Sequence, residues 1–113
     1  MSKTFELTPF AKSNLIDIVV WTIQNFGVAQ AEKYEAMILA RCAGLTDGTT
    51  PSRDCATLEG KPGPSGLLFA RAERHFIIFE ENDERIVVLA FLHVASDLVN
   101  RIGALKDKPF SLR

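Results

Sequence analysis

Apolar positions along the chain change period twice, and each change marks a change of element. Thr4-Phe5-Glu6-Leu7-Thr8 alternates with the period of two expected of a short strand, and Pro9 stops it. Pro9 also suits the first position of a helix, with Thr8 as its N-cap. From there Ala11, Leu15, Ile18, Thr22 and Phe26 recur at spacings of three and four, with Val19 and Trp21 widening the apolar face. Gly27 is placed to end that helix as a left-handed C-cap. A second helical stripe follows at Ala31, Tyr34, Ile38, Cys42 and Leu45, with Gln30, Glu32, Lys33, Glu35 and Arg41 outside it, and Asp47-Gly48 closes it. So short a joint makes the two helices an antiparallel hairpin.

Between Gly48 and Gly66 four glycines and three prolines exclude any long regular element, and a loop of this length in a small domain is often functional. Strands are then predicted at Leu67–Arg71, His75–Glu80 and Arg85–His93, joined by the short polar turns Ala72-Glu73-Arg74 and Asn82-Asp83-Glu84. The apolar run from Ile86 to Leu92 reads as a central strand covered on both faces. Ser96 to Ile102 reads as a short helix with Ser96 near its N-cap. The expected architecture is α+β, in the order β-α-α-β-β-β. A helical hairpin packs on a mostly antiparallel sheet of three to four strands, and a short C-terminal helix follows.

The 113 residues are enough for a single domain over 1–113, and a chain of this size buries roughly 65% of its unfolded surface without staples. Charge narrows the picture further. Thirteen Lys and Arg against 14 Asp and Glu leave a net charge of −1, so blanket neutralisation of phosphates is not expected, and neither is direct nucleic-acid binding by this chain alone. The start, Met1-Ser2-Lys3-Thr4-Phe5-Glu6, lacks the features of a secretory signal, and the longest apolar stretch, Leu15–Ile23, contains Asp17 and is too short for a bilayer. Two cysteines, Cys42 and Cys55, are expected reduced, which points to a cytoplasmic protein with no membrane partner.

Little in the chain supports catalysis. There is no Gly-x-Ser-x-Gly elbow, and Cys42, Cys55, His75 and His93 lack zinc-ligand spacing. Prolines in Gly60-Lys61-Pro62-Gly63 remove the amides a phosphate loop needs. No metal or cofactor is therefore called for. A metal-free ribonuclease would need a base, an acid and cations, for which Arg71, Arg74 and His93 are the candidates, with His75 and Arg53 nearby in kind. Arg71, Arg74 and His75 flank one turn, either as solvated turn residues or as one basic patch. His93 is expected to be a structural histidine hydrogen-bonded near the core, and Tyr34 a packing residue. Protein binding has better support. Val20, Trp21, Met37 and Ala40 lie off the main stripes and leave the hairpin with apolar surface, unless a wide sheet covers it. Phe110 and Leu112 form either a docking tail or a frayed end.

Four segments in order resemble one family. They are Phe5-Glu6-Leu7-Thr8-Pro9-Phe10-Ala11 with Leu15-Ile16-Asp17-Ile18; Asn25-Phe26-Gly27 with Gln30-Ala31-Glu32-Lys33-Tyr34; Gly66-Leu67-Leu68-Phe69 with Arg74-His75-Phe76-Ile77-Ile78-Phe79; and Val88-Leu89-Ala90-Phe91-Leu92-His93 with Ser96-Asp97-Leu98. The chain resembles the ParE branch of the ParE/RelE toxin superfamily of bacterial type II toxin–antitoxin systems, which are linked to plasmid stabilisation. The resemblance implies a cognate antitoxin, ParD-like or another small DNA-binding protein, that wraps the toxin into a hetero-oligomer. It implies DNA gyrase as the target in the ParE branch, and messenger RNA cutting on the ribosome in the RelE branch. Ribosome-dependent cutters are typically basic and carry a late tyrosine. Here His93-Val94-Ala95-Ser96-Asp97 has none, which favours a non-enzymatic gyrase binder over an endoribonuclease using Arg71, Arg74 and His93, or over a non-toxic homologue that only binds antitoxin. The residues expected to meet a partner are Arg71, Arg74, His75, Trp21 and Met37, around the basic turn and the groove between hairpin and sheet.

Overall fold

The computed structural model describes residues 3–59 and 66–106; Lys61 and the expected tail residues Phe110 and Leu112 lie outside them. The chain begins with β1 (Thr4–Leu7) and turns at once into α1 (Pro9–Phe26). The Thr8 hydroxyl accepts the Ala11 N–H at 3.1 Å, so the Thr-Pro start works as an N-cap followed by a helix-compatible proline. Gly27 ends α1 through its N–H to the Ile23 carbonyl, but with φ 90° and ψ 169° it is extended and not left-handed helical. That mirror-extended backbone is open only to glycine, and it lets one residue close α1 and start α2 (Val28–Asp47). Gly48, at φ 82° and ψ 5°, supplies the left-handed cap at the other end of α2.

The segment after α2 holds two short elements that periodicity did not reveal, β2 (Arg53–Asp54) and α3 (Ala56–Glu59). The Asp54 carboxylate accepts the Ala56 N–H at 2.8 Å and so starts α3. The meander follows as β3 (Leu68–Ala72), β4 (His75–Glu81) and β5 (Arg85–His93). The sheet therefore has five strands in the order β1-β5-β4-β3-β2, with β1 parallel to β5 and the other pairings antiparallel. α4 (Leu98–Lys106) starts two residues later than expected. Asp97, rather than Ser96, sits at its N-terminus, and the Ser96 hydroxyl instead donates to the His93 carbonyl at 2.6 Å.

Both faces of the sheet are covered. Ala11, Leu15 and Ile18 of α1 and Ile38, Cys42 and Leu45 of α2 pack on Ala70, Ala72, Ile77, Phe79, Ile86, Val88 and Phe91. On the reverse face Ile102 and Leu105 of α4 and Cys55 beside α3 pack on Leu67, Ile78, Leu89, Ala90 and Leu92. β5 is buried along nearly its whole length because it lies between these two layers.

An irregularity in β5 sets which way its last residues face. Ile78 pairs with Ala90 while Phe79 pairs with Val88, so Leu89 is an extra residue, a β-bulge. Ile86 and Val88 face the hairpin, Leu89 and Ala90 both face α4, and Phe91 faces the hairpin again. Strict alternation from Ile86 would send His93 to the α4 face. The bulge reverses the phase and leaves His93 on the hairpin side, opposite His75 in register. α1 takes up the backbone groups that β1 is too short to reach: the Thr8 hydroxyl donates to the Leu89 carbonyl at 3.0 Å, and the Asn14 side-chain oxygen accepts the Phe91 N–H at 3.0 Å.

Candidate functional site

The joined end of the hairpin, near Gly27, borders a groove of about 640 Å³ between α1, the start of α2, the β3–β4 turn and the end of β5. Ile18, Thr22, Tyr34 and His75 are its buried or half-buried lining. Asp17, Trp21, Phe26, Gln30, Glu73, Arg74 and His93 are exposed around it. Trp21 and Phe26 meet edge to face with ring centroids 5.8 Å apart. Across the groove Tyr34, His75 and His93 form a second run of rings, with centroid separations of 5.6 and 5.1 Å.

Tyr34 organises this wall. Its oxygen accepts the Arg74 N–H at 3.2 Å, and its hydroxyl lies 2.7 Å from His75 Nδ1 and 3.4 Å from the Ala72 carbonyl. The 2.7 Å contact lets Tyr34 donate to His75 Nδ1, an arrangement that would place the imidazole's own proton on Nε2. His93 is fixed the same way, because its Nδ1 accepts the Ala95 N–H at 3.0 Å. Burial, and secondarily the neighbouring His93, push His75 down to about 4, so it is neutral at neutral pH. Burial also raises the Tyr34 hydroxyl above its ordinary value. The Arg74 main chain is held on both sides, by its N–H to Tyr34 and by its carbonyl, which accepts the Val94 N–H at 2.9 Å. Glu73, between β3 and β4, has φ 53°, a conformation few non-glycine residues adopt.

The groove brings together four of the residues singled out in the sequence, Trp21, Arg74, His75 and His93. It does not include the other two. The Arg71 guanidinium lies 5.9 Å from the Phe76 ring centre and donates to the Glu73 carbonyl at 2.7 Å, while Met37 is half-buried against the hairpin-side core. His93 is hydrogen-bonded as expected of a structural histidine, but it is exposed, not packed near the core. Tyr34 is more than a packing residue. The available signal was its place as the chain's single tyrosine, a hydroxyl set in an otherwise apolar stripe.

α1 adds a surface of its own. Trp21 and Phe26 are 54% and 59% exposed, so Phe26 does not continue the buried stripe and Trp21 does not widen it, against the expectation from their spacing. On the far side of the helix Ile16, Val20 and Ile23, at spacings of four and three, are 62%, 47% and 40% exposed. Among the described residues no helix is long and apolar enough to cross a membrane.

Comparison with known proteins gives this arrangement its family. Residues 5–98 match the family model of the ParE toxin of the type II toxin–antitoxin system parDE. The chain is 31% identical over 98 residues to Toxin ParE of Escherichia coli, covering 86% of this chain and 90% of that protein. Its fold matches the solved chromosomal ParDE toxin–antitoxin system from P. aeruginosa, with a TM-score of 0.61 at 15% identity over 81% of this chain and 96% of that one. The chain belongs to the ParE toxins of type II toxin–antitoxin systems.

Proposed function

We propose that this protein inhibits DNA gyrase by binding it, without catalysing a reaction, and that a cognate antitoxin neutralises it by covering the α1 face and the adjoining groove. The observation that carries this reading is the family match over residues 5–98, which takes in every element from β1 to the start of α4. The exposed stripe Ile16, Val20 and Ile23 with Trp21 and Phe26 supports a protein partner, since contiguous apolar surface of this kind marks interaction sites. Inhibition of purified gyrase in a supercoiling assay is the expected result. Full supercoiling at toxin excess would refute it.

One observation favours a second reading, a ribosome-dependent endoribonuclease: Arg74 and His93 line the same groove as His75 and Tyr34. Mapping transcript ends after induction separates the two, because a gyrase binder creates no new cleavage sites. Unimpaired growth on expression without antitoxin would instead support a homologue that binds antitoxin and is not toxic.

A further inference from the structure

We propose that the corner of the groove formed by His75, His93 and Arg74 is a receptor for a single carboxylate, the acidic side chain of a polypeptide partner. This deepens the reading that the groove receives a protein and rests on it.

The corner presents hydrogen-bond donors from its histidines and from Arg74. His93 Nδ1 accepts the Ala95 N–H at 3.0 Å, and with Tyr34 as the donor His75 Nδ1 accepts at 2.7 Å. Each imidazole is therefore left with a donor, Nε2–H, and neither has an acceptor among the described residues. The two strands pair His75 with His93 in register, so the two rings meet edge to face with centroids 5.1 Å apart. Arg74 adds a guanidinium to the same corner.

Arg74 is also uncommitted where its neighbours are not. Arg41 donates twice to the Arg71 carbonyl, at 3.1 and 2.9 Å, Arg71 donates to the Glu73 carbonyl, and Arg85 pairs with Glu6 at 3.0 Å. The Arg74 guanidinium makes no hydrogen bond or ion pair among the described residues, although its main chain is pinned on both sides. A fixed backbone with an unused donor fork is pre-organised for a planar acceptor such as a carboxylate.

The charge of the groove selects among acceptors. Asp17 and Glu73 also line it, so with neutral histidines its formal charge is −1 and a polyanion such as a nucleic-acid backbone is repelled. Glu73 acts on the Tyr34 hydroxyl at the histidine end of the groove, and Arg74 acts on the same hydroxyl with the opposite sign. Beside that end Ile18, Trp21 and Phe26 offer apolar walls to the methylene stem of a glutamate.

The test uses the full chain at neutral pH, with imidazole and Arg Nε–H resonances followed by NMR. The probes are N-acetylglutamate methylamide, its glutamine and arginine counterparts, and inorganic phosphate. The glutamate probe should shift His75, His93 and Arg74 signals along a saturable curve, with affinity about tenfold lower in Arg74→Gln, the loss expected for one charge-assisted hydrogen bond. Tyr34→Phe keeps Arg74 but frees the His75 tautomer; it should raise the His75 titration midpoint and weaken the probe several-fold. The proposal fails if the glutamate probe gives no saturable shift, if glutamine, arginine or phosphate binds as well, or if Arg74→Gln or a Tyr34→Phe variant with altered His75 titration binds like wild type. Gyrase inhibition is measured separately. Its absence with carboxylate binding intact would fault the proposed function and not the site.

Discussion

The two ends of β4 are built on opposite plans. At the β4–β5 turn the chain satisfies itself: the Asn82 side-chain oxygen accepts the N–H groups of Glu84 and Arg85, both at 2.9 Å, and the Asn82 N–H donates to the Arg85 carbonyl at 3.0 Å. At the β3–β4 turn the partners come from elsewhere. Tyr34 and Arg41 reach in from α2 and Val94 from beyond β5, around a glutamate in a conformation that suits glycine. The first turn is a local solution to chain reversal. The second adds tertiary contacts to its local bond from Arg71 to the Glu73 carbonyl, and it is the one that borders the groove.

Mutation at Tyr34 should disturb this contrast most severely. Tyr34→Ala removes the half-buried ring and all its hydrogen bonds, and should cost about 2–3 kcal/mol in urea denaturation, below the range for a fully buried aromatic. Tyr34→Phe keeps the ring and should cost about 1–2 kcal/mol, the worth of the lost hydrogen bonds. Asn82→Ala removes two accepted bonds at an exposed turn and should cost about 1 kcal/mol while leaving the His75 titration unmoved, since the ends are independent. Glu73→Gly should change stability by less than about 1 kcal/mol, because relief of the positive φ is offset by the added freedom of the unfolded chain.

Acid probes the same difference without mutation. His75 is held at about 4 in the folded chain, below the ordinary histidine value of 6.5. Between those values the unfolded chain binds more protons, so the stability held above pH 6.5 is lost progressively as pH falls toward 4. His75→Asn should flatten the pH dependence of the urea midpoint over that window.

How much of the molecule was legible in the sequence depended on whether the cause was local. Thr8-Pro9, the stripe Ala31-Ile38-Cys42-Leu45 and the polar turns each carry their own signal, and α1, α2 and the three meander strands lie within a residue or so of expectation. β2 is two residues long and has no period to read. The parallel pairing of β1 with β5 is a long-range choice between edges. Above all, the bulge at Leu89 breaks the alternation by which a strand's faces are assigned, so the meeting of His75 and His93 could not be read by counting. Tyr34 was hidden for another reason: a hydroxyl in an apolar stripe declares its partners only when α2 is set against the β3–β4 turn.

β1 pairs with β5, from Thr4 with Arg85 to Leu7 with Val88, and the cap residue of α1 donates to the carbonyl of Leu89. During synthesis the first strand and first helix are made early but have nothing to close on until some eighty residues later, when β5 emerges. The hairpin's core face stays open until β5 emerges, and the histidine corner waits on the end of the same strand. A growing chain therefore has no finished groove before residue 93 is made: the strand that closes the core is also the strand that completes the groove.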